Sequence, residues 1–301
     1  MLLLGEECTN LSLHRREDHQ GLQSMKLLVV IGDTHGRLDL ALEGITRIEA
    51  ELGQTVDQVF SVGDMGLFLA SEDWDYLTGP KKYRRPEESV RILRALREWR
   101  WPLAMIAGNH EPFHRLRAWD PSYFLGKITY TDAGELPHLI EGLRVAGLSG
   151  IHHPGEMEFV SQAEKHNRKL PRCDSWPQMV DLVARKAVSP KRLAYFKHDE
   201  IECVMNLPKP HLLLLHDWPI TPPHLPQEPR PETRIVEMLR PDFVCCGHHH
   251  LHHRFELGST RGIALNLITS SKTPSHRINP GWAALFHWDG TRLFHLGDHP
   301  S

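Results

Sequence analysis

The stretch Leu27-Leu28-Val29-Val30-Ile31-Gly32-Asp33-Thr34-His35-Gly36 decides the fold. Its aliphatic run is short and unbroken by polar residues, which reads as a strand buried on both faces of an α/β sheet. The strand ends in a turn that carries a carboxylate and an imidazole. A strand leading into a turn with oxygen or imidazole donors recurs four times further along the chain. Val59-Phe60-Ser61-Val62 leads into Gly63-Asp64, and Leu103-Ala104-Met105-Ile106-Ala107 into Gly108-Asn109-His110-Glu111. Leu212-Leu213-Leu214-Leu215 leads into His216-Asp217, and Phe243-Val244-Cys245-Cys246 into Gly247-His248-His249-His250. Ligating groups at the carboxyl ends of several buried strands are how an α/β scaffold builds one site from distant sequence. Asp, Asn and His donors suit Mn²⁺, Fe or Zn²⁺ better than a structural thiolate site does. Taken singly, Asp33 and Asp64 read equally well as turn or helix-capping residues, and His216 as an ordinary loop histidine. Their common order gives them weight.

This order of motifs resembles the calcineurin-like metallophosphoesterases, over roughly residues 27–281. The resemblance implies an α/β fold, a four-layer αββα sandwich with two mixed β-sheets. It also implies two divalent metal ions about 3.5–4 Å apart, Mn²⁺ first, with Fe or Zn²⁺ as alternatives. In that scheme Asp64 bridges the pair. Asp33, His35 and His250 complete one site, and Asn109, His216 and His248 complete the other. Metal-bound hydroxide would attack phosphorus in line. His110 would approach the leaving oxygen as general acid or stabilise the phosphoryl charge, so Asp64 and His110 are the expected catalytic residues. On an extended backbone His249 points away from its two neighbours and is read as a non-ligand. His152, His153, His252 and His253 read as loop histidines.

Two comparisons refine the expected activity. Ser/Thr protein phosphatases carry an aspartate three residues after the bridging one, followed by arginine; here those positions are Leu67 and Phe68. That departure argues against a protein phosphatase. Three segments resemble the RNA lariat debranching enzymes instead: Gly108-Asn109-His110-Glu111, Val145-Ala146-Gly147-Leu148-Ser149-Gly150-Ile151 and His216-Asp217-Trp218-Pro219. The run Tyr195-Phe196-Lys197-His198 is also similar. Eukaryotic members of that group often have cysteine where this chain has Asp33. The expectation is a phosphodiesterase acting on nucleic acid or nucleotides. The alternatives are a phosphomonoesterase and, from another class, a metal-holding interaction scaffold with weak catalysis.

Composition bounds these readings. The chain has 301 residues, 40% of them hydrophobic and 24% charged, with a net charge of −3, so no global basic character announces nucleic acid. Five cysteines without C-x-x-C spacing give no disulfide framework, and a reducing cytoplasm is expected. Cys245 and Cys246 read as small core hydrophobes. No apolar stretch reaches membrane-spanning length, and no membrane partner is expected. Residues 1–24 read as a disordered extension before Met25, leaving 25–301 as a single phosphoesterase domain.

Between the motifs, residues 38–52 have amphipathic helical spacing. Residues 87–99 predict a helix with Val90, Leu93, Leu96 and Trp99 on one face. Strands are expected over 128–150, an exposed proline-rich loop over 219–231, a short helix over 234–239, and a hairpin turning at Asp289-Gly290. Residues 152–206 interrupt the motif series and read as a lid or substrate-recognition insertion, or else a solvated helix pair. The basic cluster Lys81, Lys82, Arg84 and Arg85, with the basic stretch 165–197, is expected to face a phosphate backbone.

Overall fold

A computed structural model describes residues 25–159, 173–223, 225, 229–269 and 277–299. The expected extension 1–24 and the basic residues Lys165, Arg168, Lys169 and Arg172 lie outside the described residues.

Two six-stranded mixed sheets form the centre. In the first, β1 (Lys26–Ile31), β2 (Val56–Ser61), β3 (Leu103–Met105) and β4 (Ile128–Tyr130) run parallel. The hairpin β11 (Ala283–Trp288) and β12 (Leu293–Asp298) extends this sheet antiparallel from β1. In the second, β6 (Val145–Leu148), β7 (Leu212–Leu215), β8 (Phe243–Cys246) and β10 (Thr260–Ala264) run parallel, edged by the antiparallel β5 (Ala133–Glu135) and β9 (His253–Leu257).

The alternation along β1 explains the layers, because successive side chains point to opposite faces. Leu28 and Val30 join Phe60, Ala104, Leu212, Leu214, Phe243 and Phe286 in a core between the sheets. Leu27, Val29 and Ile31 face outward onto α1 (Leu38–Leu52), α2 (Ser89–Glu98) and α3 (Phe113–Ala118), and Met179 and Val183 of α4 (Trp176–Ala184) join the same cluster. On the other side, Leu213 and Leu215 pack against Ile201 of α5 (His198–Met205) and Ile235 of α6 (Pro231–Leu239). Sheet strands covered on both faces carry unbroken aliphatic runs for this reason. The four-layer αββα expectation matches this arrangement.

Several local expectations need correction. Helix α2 buries Ser89, Ile92, Ala95 and Leu96, while Val90 is 69% exposed. Leu96 and Trp99 are buried and Leu93 packs against the core as expected, so Val90 alone leaves the expected face; the buried Ser89 beside it accepts a 2.9 Å hydrogen bond from Trp74 Nε1. Helix α6 begins at Pro231 rather than 234, with proline at its first turn, where the missing N–H costs nothing. Pro219 and Trp218 are buried, so the proline-rich segment is not exposed at its start. The hairpin turns as read: Gly290 has φ 97°, and Asp289 accepts from the Thr291 and Arg292 amides at 2.8 and 2.7 Å.

The segment after Asp64 is anchored by Asp73. Its buried carboxylate accepts from His114 Nε2 at 2.7 Å, Arg115 Nε at 2.9 Å and the Tyr123 hydroxyl. Burial alone would raise its pKa, but the bonds from His114, Tyr123 and Arg115 outweigh burial and hold it at about 2. A depressed carboxylate stabilises the fold above its unfolded pKa, and that contribution disappears as pH falls through the folded value. Asp73→Asn is therefore expected to lose about 2–3 kcal/mol at pH 7. The deficit should shrink below pH 3.8 and vanish near pH 2, in urea melts of both proteins across that range. A deficit independent of pH would exclude the ionic role.

Candidate metal centre

The parallel strands of the two sheets present their carboxyl ends at one edge, and all five motif turns meet there. Asp33 Oδ2 lies 3.0 Å from His250 Nε2, and His35 Nε2 lies 3.1 Å from His250 Nε2. Asp64 Oδ2 faces two histidines at once, His35 Nε2 at 3.5 Å and His216 Nε2 at 3.4 Å. His216 Nε2 is 3.2 Å from Asn109 Oδ1, and its ring centroid is 5.0 Å from that of His248. Two groups of donors could each hold a cation: Asp33, His35, Asp64 and His250; and Asp64, His216 and His248. Asp64 belongs to both.

The backbone is strained at this edge. His35, Asp64, His248 and His250 have φ of 44°, 51°, 68° and 53°. Left-handed conformations of non-glycine residues cost of order 1–3 kcal/mol each and persist where the surroundings over-determine them. Glycines allow the close approach. A Cβ on Gly108 would stand 2.2 Å from Asp64 Oδ1, and one on Gly247 would stand 2.2 Å from Asp33 Oδ1.

The left-handed turns also correct the reasoning about His249. The backbone there is not extended. The His249 ring lies 4.8 Å from that of His248, and its Nε2 lies 3.1 Å from Asp217 Oδ1. His249 stays outside both donor groups because Asp217 holds it. Asp217, His248 and His249 form a further close trio of possible donors. The other loop histidines have structural contacts. His252 bonds Asp298 at 2.7 Å, His253 stacks on Trp218, and His153 lies against Tyr195.

The electrostatics fit cation binding. Burial holds His35 and His248 neutral, with pKa values near 4, so their ring lone pairs are free to ligate. Burial also disfavours charge on His216, but the adjacent Asp64 carboxylate outweighs it and pushes the pKa up to about 10. His250 is likewise raised: its bond to Asp33 overcomes burial. Burial acts to raise Asp64, yet the surrounding histidines keep it well below the carboxylate range. A proton on His216 thus offsets buried carboxylate charge, and the bond to Asp33 favours one on His250. A divalent cation supplies the same positive charge and would displace those protons. His216 Nδ1 lies 2.8 Å from the Val62 carbonyl, a bond in which the ring donates and turns Nε2 into the site.

Residues 26–252 match the calcineurin-like phosphoesterase family. The chain belongs to this family. This chain carries two His/Asp donor groups that could hold the divalent metals used by calcineurin-like phosphoesterases. It is 26% identical over 196 residues to the lariat debranching enzyme of Caenorhabditis briggsae, covering 64% of this chain and 36% of that protein. It is 23% identical over 268 residues to the lariat debranching enzyme of Entamoeba histolytica, covering 82% of this chain and 70% of that one. The chain therefore spans little more than a third of the Caenorhabditis relative. A solved structure from Thermus thermophilus covers 91% of this phosphoesterase and 99% of its own chain, at 14% identity and a TM-score of 0.46. No helix among the described residues is long and apolar enough to cross a membrane.

The phosphoesterase also uses residues that motif reading passed over. Glu111, fully buried, accepts from the amides of Met65 and Gly66 at 2.6 and 3.1 Å, bracing the turn that carries Asp64. Burial, then the Asp64 charge, pushes Glu111 up to about 8. Its place two residues after Asn109, at a buried strand end, is the signal that points to it. Thr78 donates its hydroxyl to the Asn109 carbonyl. Gly79 lets the His110 ring approach so closely that a Cβ there would meet its Cε1 at 2.5 Å.

The basic residues divide. Tyr83 and Arg85 line a cavity of about 850 Å³ together with His35, His110 and His250. Lys191 and Tyr195 line a second cavity of about 160 Å³ with Asn109 and His110. Arg84 instead pairs with Asp75, and Arg192 with Glu156. Lys197 is buried and donates to the Glu156 carbonyl at 2.6 Å. Arg192 and Lys197 therefore both tie to Glu156 rather than facing a substrate.

Proposed function

We propose that this phosphoesterase is a dinuclear phosphodiesterase acting on nucleic acid or nucleotides. The observation that carries the dinuclear reading is the position of one Asp64 oxygen between His35 and His216. Asp33, His35 and His250 hold one ion with Asp64; Asn109, His216 and His248 hold the other. Mn²⁺ is the expected ion, with Fe or Zn²⁺ as alternatives. When bound, the ions supply a nucleophilic hydroxide and neutralise the anionic oxygens of the ester. The chain supplies the rest. The Asp64 Oδ1 accepts the His110 amide at 2.6 Å, fixing the start of the 110 turn. The His110 ring then stands 4.9 Å from that of His35, where it can deliver a proton to the departing oxygen.

The diester reading rests on the two cavities. Both are lined by His110, one of about 850 Å³ and the other of about 160 Å³. A monoester has a single arm and leaves one of them without use. A diester has two arms and fills both. The similarity to lariat debranching enzymes supports a nucleic-acid substrate. Residues 25–301 act in this reading as one catalytic domain, with 152–206 contributing Lys191 and Tyr195 to the smaller cavity.

The test is Mn²⁺-supported hydrolysis of bis-p-nitrophenyl phosphate beside p-nitrophenyl phosphate. A kcat/KM at least about tenfold higher for the diester is expected, since each 1.4 kcal/mol of differential binding gives a factor of ten. Preference for the monoester would move the reading to a phosphomonoesterase. Bound metal with turnover of neither would favour a binding scaffold.

A further inference from the structure

The larger cavity reaches the metal donors His35 and His250 and carries further chemistry beyond them. Tyr83, the last residue of the turn Lys81–Tyr83, and Arg85 line it. Tyr83 is 48% exposed although it borders the site, and its ring centroid lies 6.1 Å from that of His110. The Lys82 ammonium sits 5.0 Å from the same ring. Exposed aromatic surface beside a catalytic histidine gains free energy when a flat, weakly polar group stacks on it.

Arg85 lines the same cavity and has no carboxylate partner among the described residues. Its neighbours are committed: Arg84 pairs with Asp75, Arg91 with Glu88 and Arg37 with Asp39. A guanidinium left unpaired in a cleft is suited to bidentate contact with a phosphate. The two cavities also differ in capacity. Small-molecule sites are typically about 300–1,000 Å³. The larger cavity, at about 850 Å³, falls within that range, and the smaller, at about 160 Å³, does not.

We infer that Tyr83 and Arg85 form a nucleotide reader. Tyr83 stacks the nucleobase on one ester arm of the scissile phosphate, and Arg85 binds the next phosphate along that arm. The substrate is thus an oligonucleotide diester, its nucleoside arm in the larger cavity and its other arm in the smaller. This inference rests on the phosphodiesterase reading.

Three chromogenic diesters separate the possibilities in the Mn²⁺-loaded full chain. They are ethyl p-nitrophenyl phosphate, the p-nitrophenyl ester of thymidine 5′-phosphate, and the same thymidine ester bearing a 3′-phosphate. Tyr83→Ala should raise KM for both thymidine esters about 5- to 100-fold, the range for loss of one base–aromatic stack. It should leave kcat/KM for the ethyl ester within about twofold, and Tyr83→Phe should behave as the parent. Arg85→Ala should abolish the KM advantage of the 3′-phosphate and nothing else. Equal loss on the ethyl and thymidine esters would overturn the inference while leaving the phosphodiesterase reading intact. A parent enzyme that cleaves none of the three would overturn both.

Discussion

Asp64→Asn is expected to lower kcat/KM for a phosphodiester by about a thousandfold or more. A bridging carboxylate neutralises and spaces both ions, and the charge stabilisation they give is worth several kcal/mol, about 1.4 kcal/mol per tenfold in rate. Asparagine keeps the oxygen that accepts the His110 amide at 2.6 Å, so the turn should persist. What it removes is the negative charge between His35 and His216. The buried centre then carries one carboxylate fewer. Asp33 and Asp64 disfavour each other's ionisation, so relief of that repulsion offsets part of what the histidine contacts lose. Melting of the chelated variant should therefore fall close to that of the chelated parent, while elemental analysis shows fewer than two ions per chain. Asp64→Ala should lose activity to a similar degree. Parent-like activity in either variant would refute the bridging role.

His110→Ala should have an effect that depends on the leaving group. General acid catalysis contributes about 10²- to 10⁴-fold. That contribution applies when the departing oxygen is a basic alkoxide and largely vanishes for p-nitrophenolate, which leaves without a proton. The variant should thus lose about 10²- to 10⁴-fold on a dinucleotide and much less on bis-p-nitrophenyl phosphate. Equal loss on both would assign His110 to phosphoryl charge stabilisation instead. Among the described residues no carboxylate bonds the His110 ring. Leu67 and Phe68, where protein phosphatases have an acid and an arginine, are buried in the core. The ring is held by shape: Gly79 beneath it, and the edge of His35 beside it.

How much of this was legible in the chain follows from where each signal resides. The strands that carry the site are buried on both faces, so their aliphatic runs stand out, and a ligand one to four residues beyond each run is a local feature. Helix α1 could be read to its ends, because amphipathic spacing is closed by Gly53 in a left-handed cap with φ 63°. On α2 only Val90 departs from the expected face, beside the buried Ser89 that takes a long-range bond from Trp74. His249 reads as a non-ligand on an extended backbone; the left-handed turns at His248 and His250 remove that reason, and His249 joins Asp217 and His248 in a third group of possible donors. The roles of Glu111, Thr78 and Gly79 depend on contacts with residues 31 to 46 positions away, and no periodicity encodes these. Charge was the least informative signal. Arg85 and Lys197 look alike in a basic run, yet one lines the cleft and the other is buried against Glu156.

The most direct measurement is electron paramagnetic resonance of the protein titrated with Mn²⁺. A carboxylate shared by two ions predicts that the second equivalent produces an exchange-coupled pair, and that Asp64→Asn leaves only the spectrum of isolated ions. Saturation at one equivalent, or two ions with no coupling in the parent, would contradict a centre bridged by Asp64.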